Sequence, residues 1–317
     1  MQKIRVAVIG YGHLGRFHAQ KVDALEASEL VAIVDANIDR AKLAQEAHPH
    51  AKVVNNLKDI INEIDAAIIV TPTSTHFEIA KYLVEQKKHV FCEKPITEKE
   101  VQALELVALV EKQAMVFQAG HSERFHEIFE RVDDFKDYFS VPSIIRLERI
   151  AAFKGRATDV DVVQDLMIHD LDLISFLFRE TPVAIEAKGF KIRTSKWDHV
   201  TAILDFASGK KAFVTVGRNF VKEVRSLEVT SARGTFFVDL MKNEVLVASK
   251  EANQVDEYVK VFSYNKRDHL LIEQDYFYKS IANRTPPIVS AKDGQKAIRL
   301  LDFVIKSLES GHKENVR

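Results

Sequence analysis

Cysteine is almost absent from this chain. Cys92 stands alone among 317 residues, so no internal disulfide can form, and the composition suits a reducing cytoplasm. An excess of one charge is absent too. The 45 basic and 46 acidic residues leave a formal net charge of −1, without the electrostatic footprint of a nucleic-acid binder. No apolar run approaches the ~20 residues that cross a bilayer. A strand-like run beginning at Ile4 leaves no room for a signal peptide, so a cytoplasmic protein with no membrane partner is expected. Internal repeats, low-complexity tracts and long linkers are likewise missing, and the length suits two ordinary domains. The one thiol closes the apolar run His89–Cys92, a setting for a buried, inert cysteine rather than a nucleophile.

The most informative stretch is Gly10-Tyr-Gly12-His13-Leu14-Gly15, directly after the apolar run Ile4–Ile9. A buried strand, a glycine turn and a helix starting near Leu14 would present free N–H groups and a positive dipole end to a pyrophosphate. A second apolar run, Leu30–Val34, ends in Asp35, where a carboxylate is needed to accept hydrogen bonds from an adenosine ribose. That carboxylate favours a free 2′-hydroxyl and repels a 2′-phosphate, so NAD is expected and NADP disfavoured; Arg40 close by softens the preference.

Residues 1–120 alternate strand-like and helix-like segments, which implies a parallel sheet covered on both faces. Helices are expected over 39–48, 76–86 and 98–112, and strands over 65–70, 89–92 and 114–119. From residue 121 to 317 the pattern changes. Helices fit 127–139 and 163–178, followed or separated by strand-like runs over 143–152, 183–192, 199–206, 211–216, 226–230 and 235–240. Ala207-Ser-Gly-Lys210 reads as a hairpin turn. Successive strands imply an antiparallel sheet in an α+β domain, closed by helices over 268–283 and 291–308.

Three constellations carry chemistry. Thr71-Pro72-Thr73-Ser-Thr-His76 follows a strand and precedes a helix; its hydroxyls and amides fit a cofactor, and Ser74 or Thr75 equally fits a helix cap. Glu93-Lys94-Pro95 ends the next strand on the same edge, where a lysine beside a nicotinamide could hydrogen-bond a hydroxyl under oxidation. Asp165 and His169, four apart in a helix-like run, would share one face, and imidazole suits proton transfer near neutral pH. No Cys or His cluster with zinc spacing accompanies them, so no metal is expected.

These motifs, with Phe17-His18-Ala19 and Gly120-His-Ser-Glu-Arg124-Phe125, occur in one order that resembles the Gfo/Idh/MocA family of sugar and cyclitol dehydrogenases. Arg284–Ala297 is similar to that family's closing segment, and the likeness covers essentially the whole chain. It implies a Rossmann domain followed by a domain with a large open antiparallel sheet whose face pairs subunits into homodimers or homotetramers. It implies catalytic roles for Lys94, Asp165 and His169, and a substrate-side position for Arg124, Phe125 and His169. Arg124 would offer a guanidinium fork to a phosphate or carboxylate, or pair with a neighbouring acid. The segments 120–125 and 162–170 are most similar to members that oxidise C3 of UDP-N-acetylglucosamine. Leu166, Met167 and Ile168 depart from the small residues often found between the family's Asp and His.

The reading is therefore an NAD-dependent dehydrogenase acting on a secondary hydroxyl of a sugar or nucleotide sugar. Two alternatives stand beside it. One is a reductase of another substrate, such as biliverdin or a dihydrodiol. The other is a non-catalytic NAD-binding regulator, since fold alone does not establish function.

Overall fold

The computed structural model describes residues 3–140, 142–155, 158–249 and 259–316. It divides into two compact units, Met1–Phe125 with Asp268–Ile298, and His126–Arg267 with Arg299–Arg317. The chain thus returns to the first unit late, and the division is not one cut in the sequence.

The first unit runs β1 (Ile4–Ile9), α1 (His13–Ala24), β2 (Ser28–Val34), α2 (Ile38–Ala47), β3 (Lys52–Val54), β4 (Ala66–Ile69), α3 (Thr73–Glu85), β5 (His89–Glu93), α4 (Glu100–Gln113) and β6 (Phe117–Gly120). Its six strands lie in the order β3-β2-β1-β4-β5-β6 with every pair parallel. Alternate residues of the same strands feed two cores. Ala7, Ile9, Ala67 and Ile69 belong to one, and Val6, Val8, Ala66 and Ile68 to the other. A sheet buried on both faces needs continuous apolar runs, which is why these strands were legible as such. The three-residue β3 carries too short a pattern to be read.

The second unit opens on α5 (Glu127–Glu130), a 3-10 turn and α6 (Lys136–Ser140), where the sequence suggested one helix over 127–139. Packing explains the break: Phe135, Tyr138 and Phe139 gather around Phe236 at centroid distances of 4.5, 6.2 and 6.2 Å. Then come β7 (Ser143–Ile150), a π-helical turn (Val163–Met167), α7 (Ile168–Phe178), β8 (Ala184–Phe190), β9 (His199–Asp205), β10 (Lys211–Gly217), β11 (Val224–Ser231), β12 (Gly234–Asp239), β13 (Glu244–Ser249) and β14 (Val259–Ser263). The chain ends with α8 (His269–Asn283), α9 (Ala291–Ser310) and β15 (Glu314–Asn315). Nine strands form a second sheet, β14-β13-β12-β11-β7-β10-β9-β8-β15. It is mostly antiparallel, as expected, but β7 and β10 pair in parallel. The β9–β10 hairpin turns where expected, with Gly209 at φ +84° and its N–H donating to the Phe206 carbonyl.

Candidate active site

At the β1–β4 boundary the first sheet reverses its winding, and in such sheets ligands bind beyond the carboxyl ends of the strands. A cleft of about 580 Å³ lies there, lined among others by Gly10, Gly12, Asp35, Arg40, Thr71 and Pro72. The three glycines have separate reasons. Gly10 sits at φ +95°, and a Cβ there would stand 2.8 Å from the Val70 carbonyl oxygen. A Cβ on Gly15 would stand 2.0 Å from the Gly10 carbonyl oxygen. Around Gly12 a Cβ would meet nothing within 4 Å, so its backbone faces open space. Gly12 is also the cap position of α1, which has no side-chain cap and no acid in its first turn. His13 and Leu14 open that helix, and their N–H groups are the donors a pyrophosphate needs.

The Thr71 turn repeats the device. The sequence allowed Ser74 or Thr75 as a helix cap, but α3 starts at Thr73 behind Pro72 with no side-chain cap. Thr75 instead sets its hydroxyl 2.7 Å from that of Thr71 and 2.8 Å from the Pro72 carbonyl. His76 is buried, with Nδ1 2.8 Å from the Pro95 carbonyl and Nε2 2.8 Å from that of Thr71. Its ring thus ties the Thr71 turn to the Glu93–Pro95 turn.

Asp35 accepts from the Tyr11 N–H at 2.7 Å, the Asn37 N–H at 2.8 Å and Arg40 Nε at 2.9 Å. Burial alone would raise its carboxyl; the Arg40, Asn37 and Tyr11 donors outweigh that and hold it below the usual range. Arg40 therefore occupies one edge of the oxygen pair that a ribose would use.

Behind Lys94 runs a buried chain that the sequence did not disclose. Glu93 takes the Lys94 N–H at 3.2 Å on Oε2 and His18 Nε2 at 2.9 Å on Oε1. His18 Nδ1 lies 2.9 Å from Gln274 Nε2, and Tyr278 donates to Gln274 Oε1 at 3.2 Å. With the amide donating to Nδ1, the imidazole proton sits on Nε2 and faces Glu93. Burial pushes Glu93 up, but His18 and Lys94 outweigh it, so this carboxyl is held low. Its neighbour Glu273 goes the other way: burial first, then the charges of Glu93 and Asp268, push it well above the carboxylate range. A Cβ at Gly120 would come within 3.1 Å of the Glu93 carboxyl, so that glycine leaves room for the acid. Cys92, one residue before, is fully buried, and burial followed by the Glu93 charge raises its thiol, as an inert cysteine requires.

In the second unit, Asp165 falls in the π-helical turn and His169 in the first turn of α7, rather than on one regular helix. Such turns recur at functional sites because they re-aim side chains. Both residues are half-buried. One residue past His169, Asp170 is pinned to Arg149 of β7 through Nη2 at 2.9 Å and Nε at 3.2 Å. Asp198, fully buried, takes the N–H groups of Ile192, Arg193 and Thr194 and Arg218 Nε at 2.7 Å. Those donors overcome the effect of burial and drive its carboxyl far down. A shallow cleft of about 90 Å³ sets Asp165, Leu166 and Glu223 against Arg149, Lys154, Arg218 and Arg225. Arg149 and Arg218 were not singled out from sequence, because each gains meaning only from a partner about 20 residues away.

Arg124 and Phe125 lie in the first unit. Arg124 is 6 % exposed and holds Asp293 at 3.4 Å and the Ile288 carbonyl at 3.4 Å. Burial raises Asp293, but Arg124 and the Ser290 donors together lower it more; the Arg124 end of the pair is buried and the Asp293 end half-buried. Phe125 is 1 % exposed and belongs to the core, 5.8 Å from the Tyr276 ring. Lys94 is half-buried at the end of β5 in the first unit.

Both units match known families. Residues 4–121 match the oxidoreductase family with an NAD-binding Rossmann fold, and residues 147–237 match the Gfo/Idh/MocA C-terminal domain. The chain is a Gfo/Idh/MocA-family oxidoreductase, and its first unit is an NAD-binding Rossmann fold. It is 33 % identical over 305 residues to a UDP-N-acetylglucosamine 3-dehydrogenase of Acidithiobacillus ferrooxidans, covering 94 % of this chain and 95 % of that one. The solved structure of that enzyme superposes with a TM-score of 0.89 at 32 % identity, over 98 % and 99 % of the two chains. A myo-inositol 2-dehydrogenase of Thermotoga maritima is 25 % identical over 96 % of both chains. The scyllo-inositol dehydrogenase of Lactobacillus casei, solved with NAD(H) and scyllo-inositol, shares the fold at a TM-score of 0.85 and 20 % identity, over 99 % of each chain. Among the described residues no helix is long and apolar enough to cross a membrane.

Proposed function

We propose that this oxidoreductase oxidises a secondary hydroxyl of a nucleotide sugar, with C3 of UDP-N-acetylglucosamine the first candidate. The end-to-end likeness to a UDP-N-acetylglucosamine 3-dehydrogenase carries the reading. Each cation of the cleft around Asp165 is paired with an acid, Arg149 with Asp170, Arg218 with Asp198, and Lys154 and Arg225 with Glu223, so the choice of a nucleotide sugar over a cyclitol rests on that likeness. Gly10, Gly12, His13, Leu14 and Gly15 hold the pyrophosphate, Asp35 the ribose, and Thr71, Pro72 and Thr73 the adjoining part of NAD. His76 and Glu93 shape the turns from behind. When bound, NAD accepts the hydride from the carbinol carbon. His169 takes the hydroxyl proton, Lys94 hydrogen-bonds the same oxygen, and Asp165 orients the site electrostatically. Arg124 and Phe125 support the substrate side through packing. The exposed or half-exposed alternate positions of β7, β9 and β10 leave one face of the second sheet for pairing with further copies of the chain.

The test is NADH formation across UDP-sugars, free hexoses and inositols, with a biliverdin absorbance titration alongside. Turnover with one UDP-sugar, cut about 100-fold or more in His169→Ala and Lys94→Ala, is the expected outcome. Near-wild-type turnover in either folded variant sinks the assigned roles. Turnover only with inositols sinks the substrate, and NAD binding without any turnover favours the regulator.

A further inference from the structure

Asp23 closes the last turn of α1, His48 follows α2, and His50 comes two residues later. None of the three lines the dinucleotide cleft or enters the chemistry above. They meet in the first unit: His48 Nδ1 lies 2.6 Å from Asp23 Oδ2, and His50 Nε2 lies 3.0 Å from Asp23 Oδ1. One donor atom from each can be chosen so that all three lie within 4.8 Å of one another. We propose that Asp23, His48 and His50 form a binding site for a zinc-class divalent transition-metal ion, which nothing in the family reading requires.

Two imidazoles and a carboxylate are the donor set such ions take. At metal–donor distances of about 2.0–2.1 Å, tetrahedral donors stand roughly 3.3 Å apart. The two Asp–His contacts run to different carboxylate oxygens, so with one of those oxygens as the ligand the hydrogen bonds give way to metal bonds and the widest gap, up to 4.8 Å, has to close. The parts needed for closure differ in mobility. His48 is 4 % exposed, its N–H donates to Ala44, its carbonyl accepts from Ala51 at 3.0 Å, and its ring stands edge-on to Tyr11 at 5.8 Å. This is a fixed ligand. The His50 side chain is 54 % exposed and that of Asp23 31 %, so they can swing onto an ion and leave a fourth position to water. His48 Nε2 has no hydrogen-bond partner among the described residues. A metal on Nδ1 would place the imidazole proton on this buried Nε2, where it finds no acceptor, and that unpaired N–H lowers the affinity of the site. Neutral imidazoles bind without losing a net proton; the proton of Nδ1 moves to Nε2.

The full-length protein, stripped with EDTA and dialysed, is titrated with ZnCl₂ by calorimetry and with CoCl₂ by visible absorption. One equivalent taken up, with a four-coordinate cobalt spectrum, is expected. His50→Ala and Asp23→Asn each weaken uptake by about tenfold or more. His50 is exposed, so His50→Ala keeps the apo melting temperature and separates loss of a ligand from loss of fold. No saturable uptake by the folded protein overturns the site. So does uptake of equal stoichiometry and affinity in both variants, which places the ion on other histidines.

Discussion

The six strands of the first unit run parallel and are buried on both faces, while the nine strands of the second are mixed and buried mainly on one. Their candidate sites differ in the same way. The dinucleotide cleft is made of backbone: uncapped N–H groups at the starts of α1 and α3, reached because three glycines have no side chain. The region around Asp165 and His169 is made of side chains, held by the buried pairs Arg149–Asp170 and Arg218–Asp198. A site made of backbone tolerates almost no added atom, and a site made of ion pairs tolerates no lost charge.

The sharpest test of that contrast is Gly15→Ala against Gly12→Ala. The first drives a Cβ into the Gly10 carbonyl and should cost about 3 kcal/mol or more. The second meets no protein atom, so stability should stay within about 0.5 kcal/mol while NAD binding weakens by about tenfold. Thermal melts and NAD titrations read both; equal melting temperatures in the two variants would break the contrast. In the second unit, Arg149→Ala removes the paired charge from buried Asp170, at a cost of about 3 kcal/mol in denaturant unfolding. Replacing both partners by Met and Leu should recover most of that loss, and failure to recover would mean the pair holds more than its own charge.

Glu273 carries a smaller, pH-dependent effect. Its folded pKa is raised above the ordinary 4.5, so the folded chain keeps a proton that the unfolded chain releases. Stability therefore falls as pH rises above about 4.5, by about 1 kcal/mol per pH unit until the folded group titrates. Glu273→Gln should remove that slope, gaining melting temperature at pH 8 and little at pH 4; a parallel shift at both would contradict the assignment. The smallest effect belongs to Arg40, half-exposed on Asp35. Arg40→Ala should raise the preference for NAD over NADP only about fivefold, in line with an exposed ion pair of up to ~1 kcal/mol. An unchanged ratio of dissociation constants would show that Arg40 plays no part in the choice.

The glycine fingerprint, the strand before it and Asp35 were legible because strand, turn and helix are adjacent in sequence, and local sterics fix their geometry. The π-helical turn under Asp165 was not, since its residues read as ordinary helix and only the packed unit decides the extra residue per turn. Nor was the broken 127–139 segment, where aromatic packing on Phe236 overrides helical periodicity. The Glu93–His18–Gln274 chain joins residues 75 and 256 positions apart, beyond the reach of any spacing rule.

By itself the sequence determined most of the order of elements, the sites of backbone turning and the acids and bases available for chemistry. Period, turn residues and capping act over a few residues, so they can be read along the chain. Tertiary structure alone decided which charges are neutralised, which carboxyls are held low or high, and that Asp23 meets two histidines. Those outcomes depend on burial and on partners brought together through space.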